Sequence, residues 1–396
     1  MIRRLIAIIS ATAVLAACAT KDNVEPPAEL QSFEPAVDVR QVWSVNLGKG
    51  EEGLFLGLVP ATDGVRIYAA SIGGEVTAYD IASGKAQWRY SVKRDDELRE
   101  SIGAKTLAFS GGPGAAQGLV AIGSSDGELI VLDAVTGERL WHRTLSSMIL
   151  AAPAITPDAV IVRTVDGRLF ALSSLDGSEM WMIEQELPPL TLRGNAAPVV
   201  SNGLVIAGFD NGKLLALDEA TGQTVWELPV GIPRGRSELE TLVDVDGAMR
   251  VFRDEIVYVA GFQGNVLSVA LENGQPLWDR EFSSFKGLGL DWENIYVTDE
   301  DSQVWALDRR NGGPLWTQTD MRARTLTAPV AYGDTVVSGD FEGYLHFLDK
   351  NSGALVGRVR LGKGAVVMPP VVVEGLLIVL TEDAKLGAFV LRDNAG

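Results

Sequence analysis

The stretch "GEVTAYDIASGKAQW", residues 74–88, decides the fold because the chain writes it again and again. It returns as "GELIVLDAVTGERLW" (127–141), "GRLFALSSLDGSEMW" (167–181), "GKLLALDEATGQTVW" (212–226), "GNVLSVALENGQPLW" (264–278) and "SQVWALDRRNGGPLW" (302–316). A weaker seventh copy, "GYLHFLDKNSGALVG" (343–357), has Gly357 where the tryptophan should stand, and an eighth begins at "KLGAFVL" (385–391). Successive copies start roughly 40 to 50 residues apart, a period that with several short strands per unit signals a β-propeller.

Each unit parses into four strands. In the third, "AAPAI" is followed by "AVIVRT", "GRLFAL" and "SEMWMI", with turns at Val165-Asp166-Gly167 and Leu175-Asp176-Gly177 that mark antiparallel hairpins. The recurrent Asp-x-x-(Thr/Ser/Asn)-Gly suits a turn whose aspartate bonds back to backbone N–H groups while glycine takes a positive φ. Tryptophans 88, 141, 181, 226, 278 and 316 hold one position in the unit. A ring of this size suits the wedge between neighbouring blades better than a ligand cage. In the eighth copy the matching tryptophan would fall beyond Gly396, whereas "QVWSVNLG" (41–48) carries an orphan Trp43 ahead of the first blade. The expected fold is therefore all-β: one domain, residues 41–396, forming an eight-bladed β-propeller of four-stranded antiparallel blades. The N-terminal strand completes the last blade and pairs two otherwise open edges.

The first 17 residues read as a signal peptide. Arg3 and Arg4 precede a 13-residue apolar run, Leu5 to Ala17, too short to span a bilayer. Leu15-Ala16-Ala17-Cys18 resembles the bacterial lipobox, which makes Cys18 the expected lipidation site. Two or three acyl chains, at about 0.8 kcal/mol per buried CH₂, anchor firmly. Cys18 is the only cysteine, so an internal disulfide has no second partner. Ala19, by likeness to known lipoproteins, implies the outer membrane. Residues 18–40, rich in proline and acid, read as lipid anchor and flexible tether.

A net charge of -18 argues against nucleic acid as a partner. The two histidines, His142 and His346, lie on different repeats, and no thiolate or second histidine accompanies either. There is no Walker loop, and the acids concentrate in turns. No catalytic residue, cofactor or metal is expected. The repeat resembles that of quinoprotein alcohol dehydrogenases, whose vicinal disulfide a single cysteine cannot form. The alternative is an enzyme or ligand-binding module that takes a quinone or glycan in the central channel. The inner strands, beginning "APAI" (152), "APVV" (197), "APVA" (328) and "PPVV" (369), offer it only apolar residues. A third possibility is binding of peptidoglycan or another envelope protein through the opposite face.

Two connectors are irregular. "LPPLTLRG" (187–194) joins the third and fourth blades, and "VGIPRGRSELETLVDVDG" (230–247) joins the fourth and fifth. In a four-stranded blade these crossings share a face with the turns between strands two and three. Leu190, Leu192 and Arg193 are thus expected near Asp244 and Asp246. Either the leucines tuck onto the body while Arg193 pairs with Asp244 or Asp246, or the group is an interaction patch of apolar anchors and a charge.

The lipobox, acidic tether, eight repeats, "LPPLTLRGNAAPVV" and "RSELETLVDVDG" together resemble the BamB family, propeller lipoproteins of the outer-membrane β-barrel assembly machinery. The resemblance spans essentially the whole chain. It implies a non-enzymatic scaffold in the periplasm that binds the POTRA domains of BamA and supports insertion of barrel proteins. Leu190, Leu192, Arg193, Asp244 and Asp246 match the family's contact residues. Apart from the resemblance, exposed blade edges offer unfolded outer-membrane protein clients a place to add a strand by β-augmentation.

Overall fold

The computed structural model describes residues 25–48, 50, 56–191, 196–231, 243–245, 247–284 and 286–392. Eight antiparallel sheets follow one another around a ring. Blades one to seven occupy residues 61–91, 109–144, 154–184, 199–229, 250–281, 288–318 and 330–360. Blade eight takes its three inner strands from residues 371–392 and its outermost from Asp38–Asn46, which pairs with Lys385–Arg392 from Asp38↔Arg392 to Asn46↔Lys385. The closure expected from Trp43 is the one observed. The hydrophobic core lies between the sheets: Val205, Leu215 and Leu217 of blade four pack with Ile161, Leu169 and Ala171 of blade three.

Neighbouring blades are joined by one repeated contact. The indole N–H of Trp43, Trp88, Trp141, Trp181, Trp226, Trp278 and Trp316 donates to a carbonyl of the next blade at 2.8–3.0 Å. Each ring lies against the turn glycine of that blade: Gly84, Gly137, Gly177, Gly222, Gly274, Gly312 and Gly353 respectively. These glycines have φ between 66° and 76°, and a Cβ at any of them would stand 2.4–2.8 Å from the indole. The turn aspartate fixes the approach. Asp218 accepts from the hydroxyl and the amide of Thr221, and both bonds hold its carboxyl below the ordinary range. Glycine is thus required twice, for its backbone and for the space its neighbour fills. Gly222→Ala should lower stability by about 2–4 kcal/mol, read as a fall in urea midpoint at unchanged m-value.

Every outer strand carries a β-bulge one residue before the tryptophan position. In blade three, Trp181 faces Ala171 and Glu179 faces Leu172, leaving Met180 without a partner. The extra residue of the bulge turns outward. This accounts for Val42, Leu140, Met180, Val225, Leu277 and Leu315, all 43–53% exposed. A bulge in mid-strand interrupts the ladder that another chain would extend, and so blunts the exposed edge.

Three features depart from the sequence reading. Blade two has a fifth strand: Gly57–Leu58 pairs in parallel with Phe109–Ala116 on the axis side of the sheet. Backbones crowd there, since a Cβ on Gly57 would stand 1.7 Å from the Leu150 carbonyl. The long insertion between blades one and two holds a helix, Asp96–Ile102. Asp95 caps it by accepting from the Leu98 amide, Gly103 closes it at φ 66°, and Leu98 is buried with Tyr90, Val92 and Leu107.

The third departure is at the N-terminus. The segment expected to run free as a tether packs against the body from residue 25 onward, and the strand begins at Asp38 rather than 41. The amide of Ala28 donates to the Arg322 carbonyl, and its own carbonyl accepts from Arg324. Arg358 donates to the Gln31 carbonyl and stacks on Phe33, while Glu25 pairs with Arg322. The amides of Ala36 and Val37 both approach the carbonyl of Val356, the bulged residue of blade seven. Residues 25–37 thus form a strap down the outer edge of that blade. Gly357 has its explanation here. Blade eight has no turn between its outer strands, because they come from opposite ends of the chain, so a blade-seven tryptophan would have no glycine to cover. Val37 and Val39 fill the space instead, and a Cβ on Gly357 would stand 2.7 Å from Val37.

A buried polar cluster in blade seven backs the strap. Asp340 accepts from Arg324 at 2.9 Å and lies 2.9 Å from Nε2 of His346, and Arg324 also pairs with Glu342. Arg358 donates to Nδ1 of His346 at 3.3 Å. Burial pushes the pKa of His346 down despite the pull of Asp340, so the ring is neutral, donating from Nε2 and accepting at Nδ1. Burial by itself would raise the Asp340 carboxyl; the bonds from His346, Tyr344 and Arg324 outweigh it and leave the group below its usual range.

Candidate partner-binding face

The strand order fixes which loops share a face. The turns between strands two and three and the blade-to-blade crossings lie on one side, and the remaining hairpin turns lie on the other. The described ends of both irregular connectors, residues 185–191 and 196–198 and residues 230–231 and 243–245, belong to the crossings between blades three and four and between blades four and five.

The first connector leaves the outer strand of blade three, Glu179–Glu184. Leu187 and Leu190 are each 40% exposed. Leu187 is not wholly turned away, since its side chain lies over the turn of blade three, where a Cβ on Gly167 would stand 3.2 Å from it. Beneath this connector is a pair that periodicity did not single out. Arg163, closing the second strand of blade three, bonds Asp210 in the turn of blade four, and both are almost fully buried. The guanidinium lies 5.5 Å from the Phe209 ring centre, and Gln185 accepts from Asn211 at 3.3 Å. The sequence signal was present in "AVIVRT", where a charge ends an apolar strand. Breaking a buried pair leaves one charge without compensation, so this joint holds blades three and four in fixed relation under the loop.

The second connector returns to the body at residues 243–245. The Asp244 carbonyl accepts from the Phe262 amide at 2.8 Å, and the Val245 side chain fills the space over Gly208. Asp244 therefore sits between the turns of blades four and five, 1% exposed. Of the residues singled out from sequence, Leu190 is exposed on this face and Asp244 is buried within it. Leu192, Arg193, Asp246 and Cys18 lie outside the described residues.

The axis bears on the ligand-channel alternative. The strand Gly57–Leu58 takes up space beside the innermost strand of blade two. Arg250, which opens the inner strand of blade five, departs from the apolar inner-strand pattern. It is half-buried, its desolvation lowers its pKa, and it donates to the Met249 carbonyl at 3.0 Å.

Comparison with known proteins bears on the whole chain. Residues 29–101, 98–318 and 308–393 match the family described as outer membrane protein assembly factor BamB. A relative of that name from Shewanella oneidensis is 34% identical over 96% of each chain. The crystal structure of BamB from Moraxella catarrhalis superposes with a TM-score of 0.79 at 29% identity, covering 89% of this chain and all of that one. A quinohemoprotein alcohol dehydrogenase from Comamonas testosteroni reaches a TM-score of 0.66 at 14% identity, over 89% of this chain and 76% of its own, a likeness of fold alone. With its family match running nearly end to end and its relatives aligned over almost their full lengths, this chain belongs to the BamB family of outer membrane protein assembly factors.

Proposed function

We propose that this protein is a non-enzymatic scaffold lipoprotein of outer-membrane β-barrel assembly. Cys18, acylated, holds it to the periplasmic leaflet of the outer membrane, and the propeller binds the POTRA domains of a BamA partner through the crossing face of blades three to five. The observation that carries the reading is the connector after blade three, which keeps two leucines exposed above a buried Arg163–Asp210 pair. Two prolines stiffen it, which lowers the entropy lost on binding. Leu190 and Leu192 fill shallow pockets on the partner, and Arg193 donates charge-assisted bonds to its oxygens. The burial of Asp244 favours an orienting role for that residue over direct contact. Unfolded clients add strands to outer blade edges only over the few residues either side of each bulge.

The test is calorimetry of residues 19–396 with the partner's periplasmic domains. The unsubstituted body should bind, and Arg193→Glu should bind at least about 30-fold more weakly, the scale of a hot spot near 2 kcal/mol, at unchanged melting temperature. Equal affinities would remove the patch assignment. No binding by the folded body would return the weight to a ligand-binding propeller.

A further inference from the structure

The strap fixes where the chain leaves the body. Glu25 pairs with Arg322 at 3.2 Å, and Arg322 also pairs with Asp301. Residues 320–324 form the crossing from blade six to blade seven, and Asp301 is in the turn between strands two and three of blade six. Both belong to the crossing face. From Glu25 the strap descends blade seven to the opposite face, where Asp38 starts the outer strand of blade eight beside Arg392. Without the strap, the last fixed point before Cys18 would be Asp38, on the hairpin face, with about 70 Å of chain between them at full extension. With it, the fixed point is Glu25, on the crossing face, and seven residues span at most about 25 Å.

We propose that the corner of the crossing face at blades six and seven is held against the lipid surface, and that the strap sets this orientation. The proposal rests on the reading of Cys18 as the anchor. The occupant of this corner is a bilayer rather than a protein because the chain itself ends there within one short leash of its acyl chains. Charge does not draw this corner to the lipid, since Glu25, Glu300 and Asp301 outnumber Arg322; the leash does. The loop after blade three lies on the same face, three blades round the ring. The partner is then met on the side of the propeller that faces the membrane, away from the anchor.

The experiment uses the full acylated chain in phosphatidylethanolamine–phosphatidylglycerol vesicles carrying a headgroup-linked energy acceptor. Acylation consumes the only native thiol, so one introduced cysteine carries the donor dye. Three exposed positions serve: Glu300→Cys on the crossing face of blade six, Glu293→Cys on the hairpin face of the same blade, and Asp126→Cys on the crossing face of blade two. Transfer should be several-fold greater from position 300 than from 293 or 126. Loosening the strap with Ala28→Pro and Arg322→Ala, which remove the Ala28 donor and the Glu25 ion pair, should erase that difference while the protein stays folded and vesicle-bound. Floating protein with equal transfer from 300 and 293, or an order that survives the strap variant, overturns the orientation and leaves the anchor standing. Protein that does not float with vesicles overturns the anchor reading, and the proposal with it. In the unanchored body, hydrogen exchange at the Ala28 and Val37 amides should be slowed; free exchange at both would also overturn the strap.

Discussion

A chain lacking residues 25–46 is expected to lose its cooperative unfolding transition and to associate in solution. The deletion leaves blade eight with three strands and exposes the edge of Lys385–Arg392, a strand otherwise paired along its whole length. It also removes Trp43 from the joint with blade one, where the indole is 8% exposed and bonds the Ile81 carbonyl. The joint by itself is large on the scale of a folded protein. Trp43→Ala should cost about 3–5 kcal/mol against a total near 5–15. The deletion adds the loss of a strand ladder and opens an edge that templates pairing with other chains. Thermal melts followed by circular dichroism, with size-exclusion chromatography, check both forms. A monomeric deletion variant melting within a few degrees of the intact body would show that the ring does not depend on this closure.

Asp340→Ala is expected to cost about 3–5 kcal/mol, because it removes the buried carboxylate that Arg324 shares with His346, leaves the His346 N–H without its acceptor, and leaves Arg324 only Glu342 and the Ala28 carbonyl. The same cluster makes stability depend on pH in a definite direction. His346 is held neutral when folded but takes up a proton near pH 6.5 when unfolded. Its contribution is complete above that value and is lost as pH falls toward the depressed folded pKa. Asp340 acts lower on the scale: its contribution is complete above about pH 4, the unfolded value, and disappears as pH falls through the lowered folded one. Urea unfolding between pH 7.5 and 5 should therefore show stability declining with acid, and His346→Gln should flatten that slope. A slope unchanged by the substitution would place the titration elsewhere.

The repeat made most of this architecture legible. Tryptophan at one position, an Asp-to-Gly turn a few residues before it, and Trp43 standing alone ahead of the first unit were enough to count eight blades and close them. What escaped notice lacked a pattern. Gly57–Leu58 is a two-residue strand chosen by space at the axis, and two residues carry no alternation. The strap is proline-rich and acidic, the composition of a disordered linker, and it is held mainly through its own backbone carbonyls by arginines about 300 residues away. Such contacts leave no trace in the segment that receives them. Gly357 looked like decay of the repeat, but the cause lies in a missing turn of the next blade. At the candidate site, sequence placed both connectors on one face, whereas the burial of Asp244 depended on how two turns close around it.

The tryptophan–glycine joint also bears on how such a ring can change over generations. Each joint is divided between consecutive repeats, the indole in one and its glycine in the next. A duplication or loss of one whole repeat by recombination therefore leaves every joint intact on both sides of the event. The exception is the seam where blade seven meets blade eight, which has no such joint and relies on Val37, Val39 and the strap. Blade number can drift anywhere else around the circle, while inheritance must keep the first fifty residues and the last sixty together.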